Sequence, residues 1–142
     1  MADITLTAAS IRPLNGAIVR RGLAGATLTP GQVVYLDGAN GWKPADADAV
    51  ASAQARGVVV SDGSGAVSFA SGTNVDIVVF GPVTGFASMT AGAAVYVSTT
   101  AGAMDQTAPT AAGDYVFEVG WAEAAATLFV DPQIAVPTVI PT

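Results

Sequence analysis

The feature that most constrains the fold is a repeated segment. The stretch "LTPGQVVYLDGANGW", residues 28–42, returns in altered form as "MTAGAAVYVSTTAGA", residues 89–103. In each copy a Tyr stands four residues after a Gly, and a second Gly follows six residues after the Tyr. The β-branched residues around each Tyr are typical of a strand that ends in a turn. We interpret the repeat as an internal duplication in which two β-halves close one core; the alternative is simple recurrence of common β-turn composition.

The repeat extends into the segments that follow each copy. These read "ARGVVVSDGSGAVSFA" at 55–70 and "EVGWAEAAATLFVDP" at 118–132. Each places a Gly at the head of a strand, then a short loop, then a second strand. The period of about 60 residues is too long for a solenoid, and two copies are too few. The sequence therefore predicts an all-β fold, a compact barrel or sandwich with an internal duplication and at most one short helix.

Turn residues divide the chain into short β-branched runs, which are typical of strands. Asn40-Gly41 predicts a tight hairpin, "SDGSG" at 61–65 predicts a second hairpin loop, and Gly81-Pro82 predicts an edge or corner because proline cannot donate to a sheet ladder. The Ala-rich segment 45–56 predicts two or three helical turns or a loop. The predicted strands cover residues 4–7, 17–20, 32–36, 57–61, 67–70, 75–80, 83–86, 93–98, 115–121 and 127–131.

The two ends differ from the middle. Residues 1–15 are predicted to form an extended N-terminal arm, since its Arg-Pro pair favours extended chain, and residues 16–131 form the β-barrel or sandwich domain. Residues 132–142 hold three of the eight prolines and four Ile or Val residues. This composition excludes a helix and lacks the polarity of disordered segments. We therefore expect an extended C-terminal tail that lies against another surface, such as a neighbouring subunit.

Composition excludes several classes of function. Charged residues make up only 11% of the chain, against about 25% in ordinary soluble domains, yet no run approaches the roughly 18 apolar residues of a membrane-spanning helix. The start "MADITLTAAS" lacks the features of a secretory signal, so we expect no membrane association and no export by a signal peptide. The net charge of −6 argues against nucleic acid as a partner.

The sequence also argues against catalysis. It contains no His and no Cys, which removes the usual nucleophile–base pairs and the thiolate and imidazole metal ligands. The carboxylate pairs Asp46/Asp48 and Glu118/Glu123 remain as acid–base candidates, but their positions predict a solvated loop or helix start and an outward-facing strand residue. The ten aromatic residues are spread one per strand or turn, as in a core, with Trp42 the one candidate for exposure. We expect no enzyme, no metal site and no cofactor.

Charge is distributed unevenly along the chain. Residues 1–36 hold three arginines and one aspartate, whereas residues 37–142 hold two basic and ten acidic residues. This split predicts either a basic docking segment on an acidic body or arginines that balance nearby acids of the same fold.

The order of segments resembles a known family. From "GAIVRRG" the chain runs through "LTPGQVVYLDGANGWKPADADA", "ARGVVVS" and "VDIVVFGPVTGFASMTAGAAVYVSTTAGAM" to "VGWAEAAATLFVDP". Over roughly residues 16–132 this pattern is similar to the small capsid decoration, or cement, proteins of tailed bacteriophages. The resemblance implies a structural protein, made in the host bacterial cytoplasm, that binds the outer capsid surface of the virion. It further implies a homotrimer that bridges neighbouring major capsid protein subunits, with no catalytic residues.

Two sets of residues become candidates under this interpretation. The charge split and the alternating "DITLT" indicate a capsid-docking segment, and the apolar tail indicates a subunit interface. Two other classes stay open: a head-fibre or tail receptor-binding domain, and a carbohydrate-binding β-module, both of which would bind glycans, the first through an exposed aromatic cluster. The docking candidates are Ile4, Leu6, Ile11, Arg12, Arg20 and Arg21, and the interface candidates are Ile134, Val136, Val139 and Ile140.

Overall fold

The computed structural model of the protein describes residues 3–141. They form short β-strands and one α-helical turn, α1, at Val50–Ala53, with two 3₁₀ turns at Ala8–Ser10 and Gly38–Asn40. The strands are β1 (Thr5–Leu6), β2 (Arg12–Pro13), β3 (Ile18–Leu23), β4 (Val33–Leu36), β5 (Trp42–Pro44), β6 (Gly57–Val60), β7 (Asn74–Thr84), β8 (Phe86–Ala87), β9 (Ala94–Val97), β10 (Met104–Asp105), β11 (Tyr115–Val116), β12 (Glu118–Ala122), β13 (Thr127–Val130) and β14 (Thr138–Val139).

Ten strands form one curled antiparallel sheet, which confirms the all-β prediction. Hydrogen-bonded neighbours follow the order β10-β9-β12-β13-β7-β6-β4-β5. β7 joins the two halves: its residues 74–80 pair with β3 and β6, and its residues 81–84 pair with β2 and β13. The partners change at Gly81, whose φ of 110° suits glycine alone. One continuous strand thus replaces the two strands predicted on either side of Gly81-Pro82.

The two repeated segments form the same backbone structure. β4 lies between β5 and β6, as β9 lies between β10 and β12. The Gly31 N–H donates to the Val59 carbonyl at 2.8 Å, and the Gly92 N–H donates to the Ala122 carbonyl at 2.7 Å. We call β4, β5, β6 and residues 74–80 of β7 unit 1, and β9, β10, β12 and β13 unit 2. The matching hydrogen bonds make Val59 and Ala122 equivalent positions.

A second pair of equivalent positions is glycine for the same steric reason. A Cβ on Gly57 would lie 2.6 Å from the carbonyl oxygen of Val78, and a Cβ on Gly120 would overlap the carbonyl oxygen of Phe129. Each glycine therefore permits close approach of the next strand. Close approach of the neighbouring strand therefore explains why a glycine stands at the head of β6 and near the head of β12. The same contacts make Val78 and Phe129 equivalent positions.

One insertion distinguishes the units. Residues 61–73, between β6 and β7, form no strand, so the strand predicted at 67–70 and its hairpin with β6 are wrong. Phe69 and Leu28 instead exchange two backbone hydrogen bonds of 2.9 and 2.7 Å. In unit 2 only residues 123–126 separate β12 from β13. The counterpart of β13 is therefore β7, and the insertion has no counterpart.

Other local predictions are partly corrected. The Asn40-Gly41 hairpin is present, but its loop spans residues 37–41. The segment 45–56 contains only the turn α1, because the Ala47 N–H donates across the fold to the Ser98 carbonyl at 3.0 Å. The sequence missed four very short strands, β2, β5, β10 and β14, which have too few residues to show alternation.

The N-terminal segment is packed onto the body and is not a free arm. Within its described part, residues 3–15, β1 pairs with β8 and β2 pairs with β7. Between these strands Ile11 is fully buried in the main core. Arg12 and Pro13 are extended in β2, as the sequence indicated, but the buried Ile11 side chain and the two strand pairings attach this extended segment to the body.

The C-terminal segment lies against its own domain. β14 pairs with β11, and the Ile140 N–H donates to the Asp114 carbonyl at 2.7 Å. The side-chain oxygen of Gln133 accepts the Glu118 N–H at 2.8 Å, and the Gln133 N–H donates to the Glu118 carbonyl at 3.1 Å. These bonds hold residues 133–140 without a partner subunit.

Candidate functional site

Equivalent strands of the two units bury opposite faces in the main core. Side chains along a strand alternate between two faces of the sheet. We call these the front face and the back face, and the pairing register assigns residues to them. Front-face residues are Val33, Val58 and Val78 in unit 1 and Ala94, Trp121 and Phe129 in unit 2; back-face residues are Val34, Val59 and Ile77 in unit 1 and Val95, Ala122 and Leu128 in unit 2.

The main core lies between the front face of unit 1 and the back face of unit 2. All six residues on those two faces are fully buried in one cluster. The units therefore stack front to back, and the duplicated halves do not meet through the same surface. This arrangement leaves one face of each unit outside the main core.

The back face of unit 1 is covered by the insertion. Its three residues pack with Leu28 and Phe69 in a second, smaller cluster. Phe69 belongs to residues 61–73, the segment that unit 2 lacks. The insertion thus covers, through Phe69 and Ala66, a face that would otherwise contact water.

The front face of unit 2 and the adjoining residues of β3 and β7 carry exposed aromatic and apolar side chains. Trp121 is 40% exposed and Phe80 is 42% exposed, and Ile18, which pairs with Phe80, is 52% exposed. The half-buried Phe129 stacks on Trp121 with ring centroids 5.4 Å apart, and it meets Phe80 edge to face at 5.1 Å. Pro82 pairs with Phe129. We call these five residues the aromatic surface.

The aromatic surface corrects the sequence-based expectation of core aromatics. Trp42, the one candidate for exposure, is half-buried and packs against the smaller cluster. The missed aromatic residues are Phe80 in β7, Trp121 in β12 and Phe129 in β13. The β13 run "TLFV" is almost wholly apolar and shows no alternation. An apolar run of this length does not reveal which side chains face water.

The predicted basic docking residues do not form one cluster. Arg12 lies in β2, opposite Thr84, whereas Arg20 and Arg21 are neighbours in β3 and therefore point to opposite faces. Arg21 forms an exposed ion pair with Asp76 at 2.7 Å, a contact worth about 0–1 kcal/mol. All three arginines are exposed.

The apolar docking candidates behave differently from one another. Leu6 is 38% exposed, and Ile4 is half-buried with its N–H bonded to the Met104 carbonyl at 2.7 Å. Ile11 is fully buried, so its assignment to a docking surface is wrong: the side chain that would touch a partner fills the main core.

The interface candidates of the tail are mostly exposed. Ile134 is 99% exposed, Val136 is 69% exposed and Val139 is 49% exposed, while Ile140 is half-buried. Ile134 borders an open cleft of about 430 Å³ that also contains the Arg56 guanidinium, which lies 5.7 Å from the centre of the Phe117 ring.

β3 offers an unprotected strand edge. Within the described residues it pairs with β7 alone, and each of its residues except Gly22 is exposed. Edge strands of this kind present unpaired backbone N–H and C=O groups to other chains. This edge carries Ile18 and Arg20, and so it borders the aromatic surface.

The carboxylate candidates do not form a catalytic pair. Glu118 is the first residue of β12 and Glu123 follows its last residue. Five residues of extended chain span about 16 Å at about 3.3 Å per residue, which is beyond the roughly 5–9.5 Å of paired catalytic carboxylates. Burial raises the pKa of Asp46; the hydrogen bond that the Asp48 N–H donates to its carboxylate at 3.2 Å opposes this shift, and the nearby charges of Asp48 and Asp114 add to it. Among residues 3–141, no group of three or more acidic side chains is placed to hold a metal ion.

Comparisons with known proteins leave the family open. A scan against models of protein families finds no match. A search of curated proteins finds no similar chain. In the described part of the chain, no helix is long and apolar enough to cross a membrane.

Proposed function

We propose that this chain is a structural virion protein that binds the outer surface of a tailed-phage capsid and joins neighbouring major capsid subunits, as a homotrimer. The observation that carries the proposal is the free edge of β3. This edge strand, Ile18–Leu23, has six residues and exposes all but one of them. Proteins usually shorten or cover such edges because they recruit other strands.

A capsid segment can add to β3 as a further strand. In strand addition, main-chain hydrogen bonds supply affinity and the flanking side chains supply specificity. Arg20 and Arg21 place positive charge on this edge of a chain whose net charge is −6. Charge of this sign steers the edge toward an acidic surface and fixes register more than it adds affinity. The docking candidates Ile4, Leu6, Arg12, Arg20 and Arg21 remain, and Ile11 is withdrawn because its side chain is fully buried.

The sequence composition and the tail agree with a role in assembly. A chain with only 11% charged residues suits extensive contact with other protein. Ile134 and Val136 are exposed apolar side chains on a segment that hydrogen bonds hold in place. We assign them, together with Val139 and Ile140, to contact between subunits, where trimer symmetry would multiply modest contacts.

Co-sedimentation with undecorated heads of the source phage tests this proposal. The purified chain is expected to pellet with heads and to saturate at a fixed ratio to the major capsid protein. Arg20→Glu should weaken binding at low salt by about tenfold or more, since it reverses an exposed edge charge. The matched control Lys43→Glu makes the same charge change on β5. Absence of wild-type binding, or equal loss in both variants, would overturn the proposal.

A glycan-binding module is the second candidate, because three aromatic side chains share an exposed face. Two features of that face count against it. Phe129 is enclosed by Phe80 and Trp121 instead of offering a flat platform, and the remaining members, Ile18 and Pro82, have no polar side-chain atoms to bond sugar hydroxyls. Binding to a glycan array that is lost in Trp121→Ala would favour this candidate.

A further inference from the structure

We infer that the aromatic surface is where a second copy of this chain docks. The inference rests on the oligomeric part of the proposed function and adds a second contact surface to the tail residues assigned there. Its first support is the internal duplication. In unit 1 the front face, Val33, Val58 and Val78, is fully buried against another sheet face of the same chain. In unit 2 the equivalent face carries Ala94 and two larger apolar side chains, Trp121 and Phe129, yet nothing in residues 3–141 covers the aromatic pair.

The stacking order explains why one face remains uncovered. Unit 1 uses its front face to meet unit 2, and residues 61–73 cover its back face. Unit 2 uses its back face to meet unit 1 and has no insertion that could cover its front face. A stack of two such units therefore ends in one closed face and one apolar face. Stacked repeats generally require polar outer faces at their ends to stay soluble.

Charge complementarity identifies the occupant as another copy. One row across the sheet consists of Arg12 in β2, Thr84 in β7, Thr127 in β13 and Glu123 after β12. Arg12 and Glu123 thus flank the aromatic surface on opposite sides. Three strand spacings of about 4.8 Å place their backbones about 14 Å apart.

This row is self-complementary between copies. Neither Arg12 nor Glu123 forms an ion pair within the described part of the chain. When the Arg12 end of this row in one copy lies over the Glu123 end of the row in the next, Arg12 faces Glu123 and the aromatic residues lie between the copies. Each copy thus carries both the positive and the negative partner of this contact, an arrangement that favours another copy over a capsid surface or a glycan.

Light scattering and sedimentation of the full chain, without capsids, test the inference. Wild-type protein at micromolar concentration is expected at three times 14.0 kDa, the mass of the homotrimer. Trp121→Ser and Phe80→Ser should each raise the dissociation constant at least tenfold. Val67→Ser, which changes a side chain that is 52% exposed on the insertion, is the matched control and should leave the mass unchanged. Thermal unfolding verifies that each variant is folded.

A charge-reversal cycle identifies the contact itself. Arg12→Glu and Glu123→Arg should each weaken association, and the double variant should recover it, because the reversed pair attracts again. A wild-type mass of 14.0 kDa at all concentrations would overturn the inference. An oligomer that is indifferent to Trp121→Ser and to the charge cycle would overturn it too. Capsid binding by a monomeric wild type would refute this surface and the homotrimer, and would leave standing only the capsid-binding part of the proposed function.

Discussion

Replacing Ile11 with alanine tests whether the N-terminal segment belongs to the folded body. Ile11 has no exposed surface and lies in the main core among residues of both units. Its replacement removes three buried carbon atoms and leaves a cavity, because close-packed neighbours relax only partly. Substitutions of this kind cost about 2–5 kcal/mol. For a chain of this size that corresponds to a fall in melting temperature of about 4–20 °C.

Urea and thermal unfolding, followed by tryptophan fluorescence, measure this loss. The matched control is Arg12→Ala, the next residue along, whose side chain is exposed and whose loss should change stability by no more than about 0.5 kcal/mol. Equal stability of wild type and Ile11→Ala would refute the packing argument. It would return residues 1–15 to the status of a free docking arm. If the argument holds, deletion of residues 1–15 is unsuitable as a capsid-binding test, because it removes part of the core.

Two further predictions concern the duplication and the pH dependence of stability. Gly57→Ala and Gly120→Ala should both destabilise the fold by more than about 1 kcal/mol, since each new Cβ meets a backbone carbonyl oxygen. The control Gly63→Ala has a positive φ but no atom near its Cβ position, and it should cost less. Equal effects at all three positions in denaturant unfolding would contradict the equivalence of Gly57 and Gly120. Burial raises the pKa of the Asp46 carboxyl above 3.8 in the folded state. As pH rises, the unfolded chain therefore loses the carboxyl proton at a lower pH than the folded chain does. The free energy of unfolding consequently falls as pH rises through the folded pKa. Asp46→Asn should therefore match wild type at about pH 3 and melt at higher temperature at about pH 7, and a melting difference that is independent of pH would refute this cause.

The all-β class was predictable because its signals are local. Glycine and proline positions limit the strands to short runs, and the Asn40-Gly41 pair locates a hairpin wherever the neighbouring strands lie. The duplication was also visible, since Gly31 and Gly92 are required by the same turn and bond in each unit. Both glycines have a positive φ, 95° and 84°, which explains why glycine recurs at this position of the repeat.

The insertion and the long strand β7 were beyond local reasoning. "AVSFA" has the composition of a strand, but Phe69 meets Leu28 and covers the back face of unit 1 instead of pairing with β6. Pairing partners far apart in sequence decided this outcome. The same holds at Gly81-Pro82, where the missing proline N–H does not end the strand, since Pro82 remains paired with Phe129.

By itself, the sequence determined that the protein is a β-fold built from two similar halves, because turn geometry and strand composition act over a few residues. Only the tertiary structure decided which face of each half is buried. The two units stack front to back, so equivalent positions have opposite surroundings: Val58 and Val78 lie in the core, whereas Trp121 and Phe129 form a surface. Since that choice depends on contacts between distant strands, an apolar run such as "TLFV" cannot encode it locally.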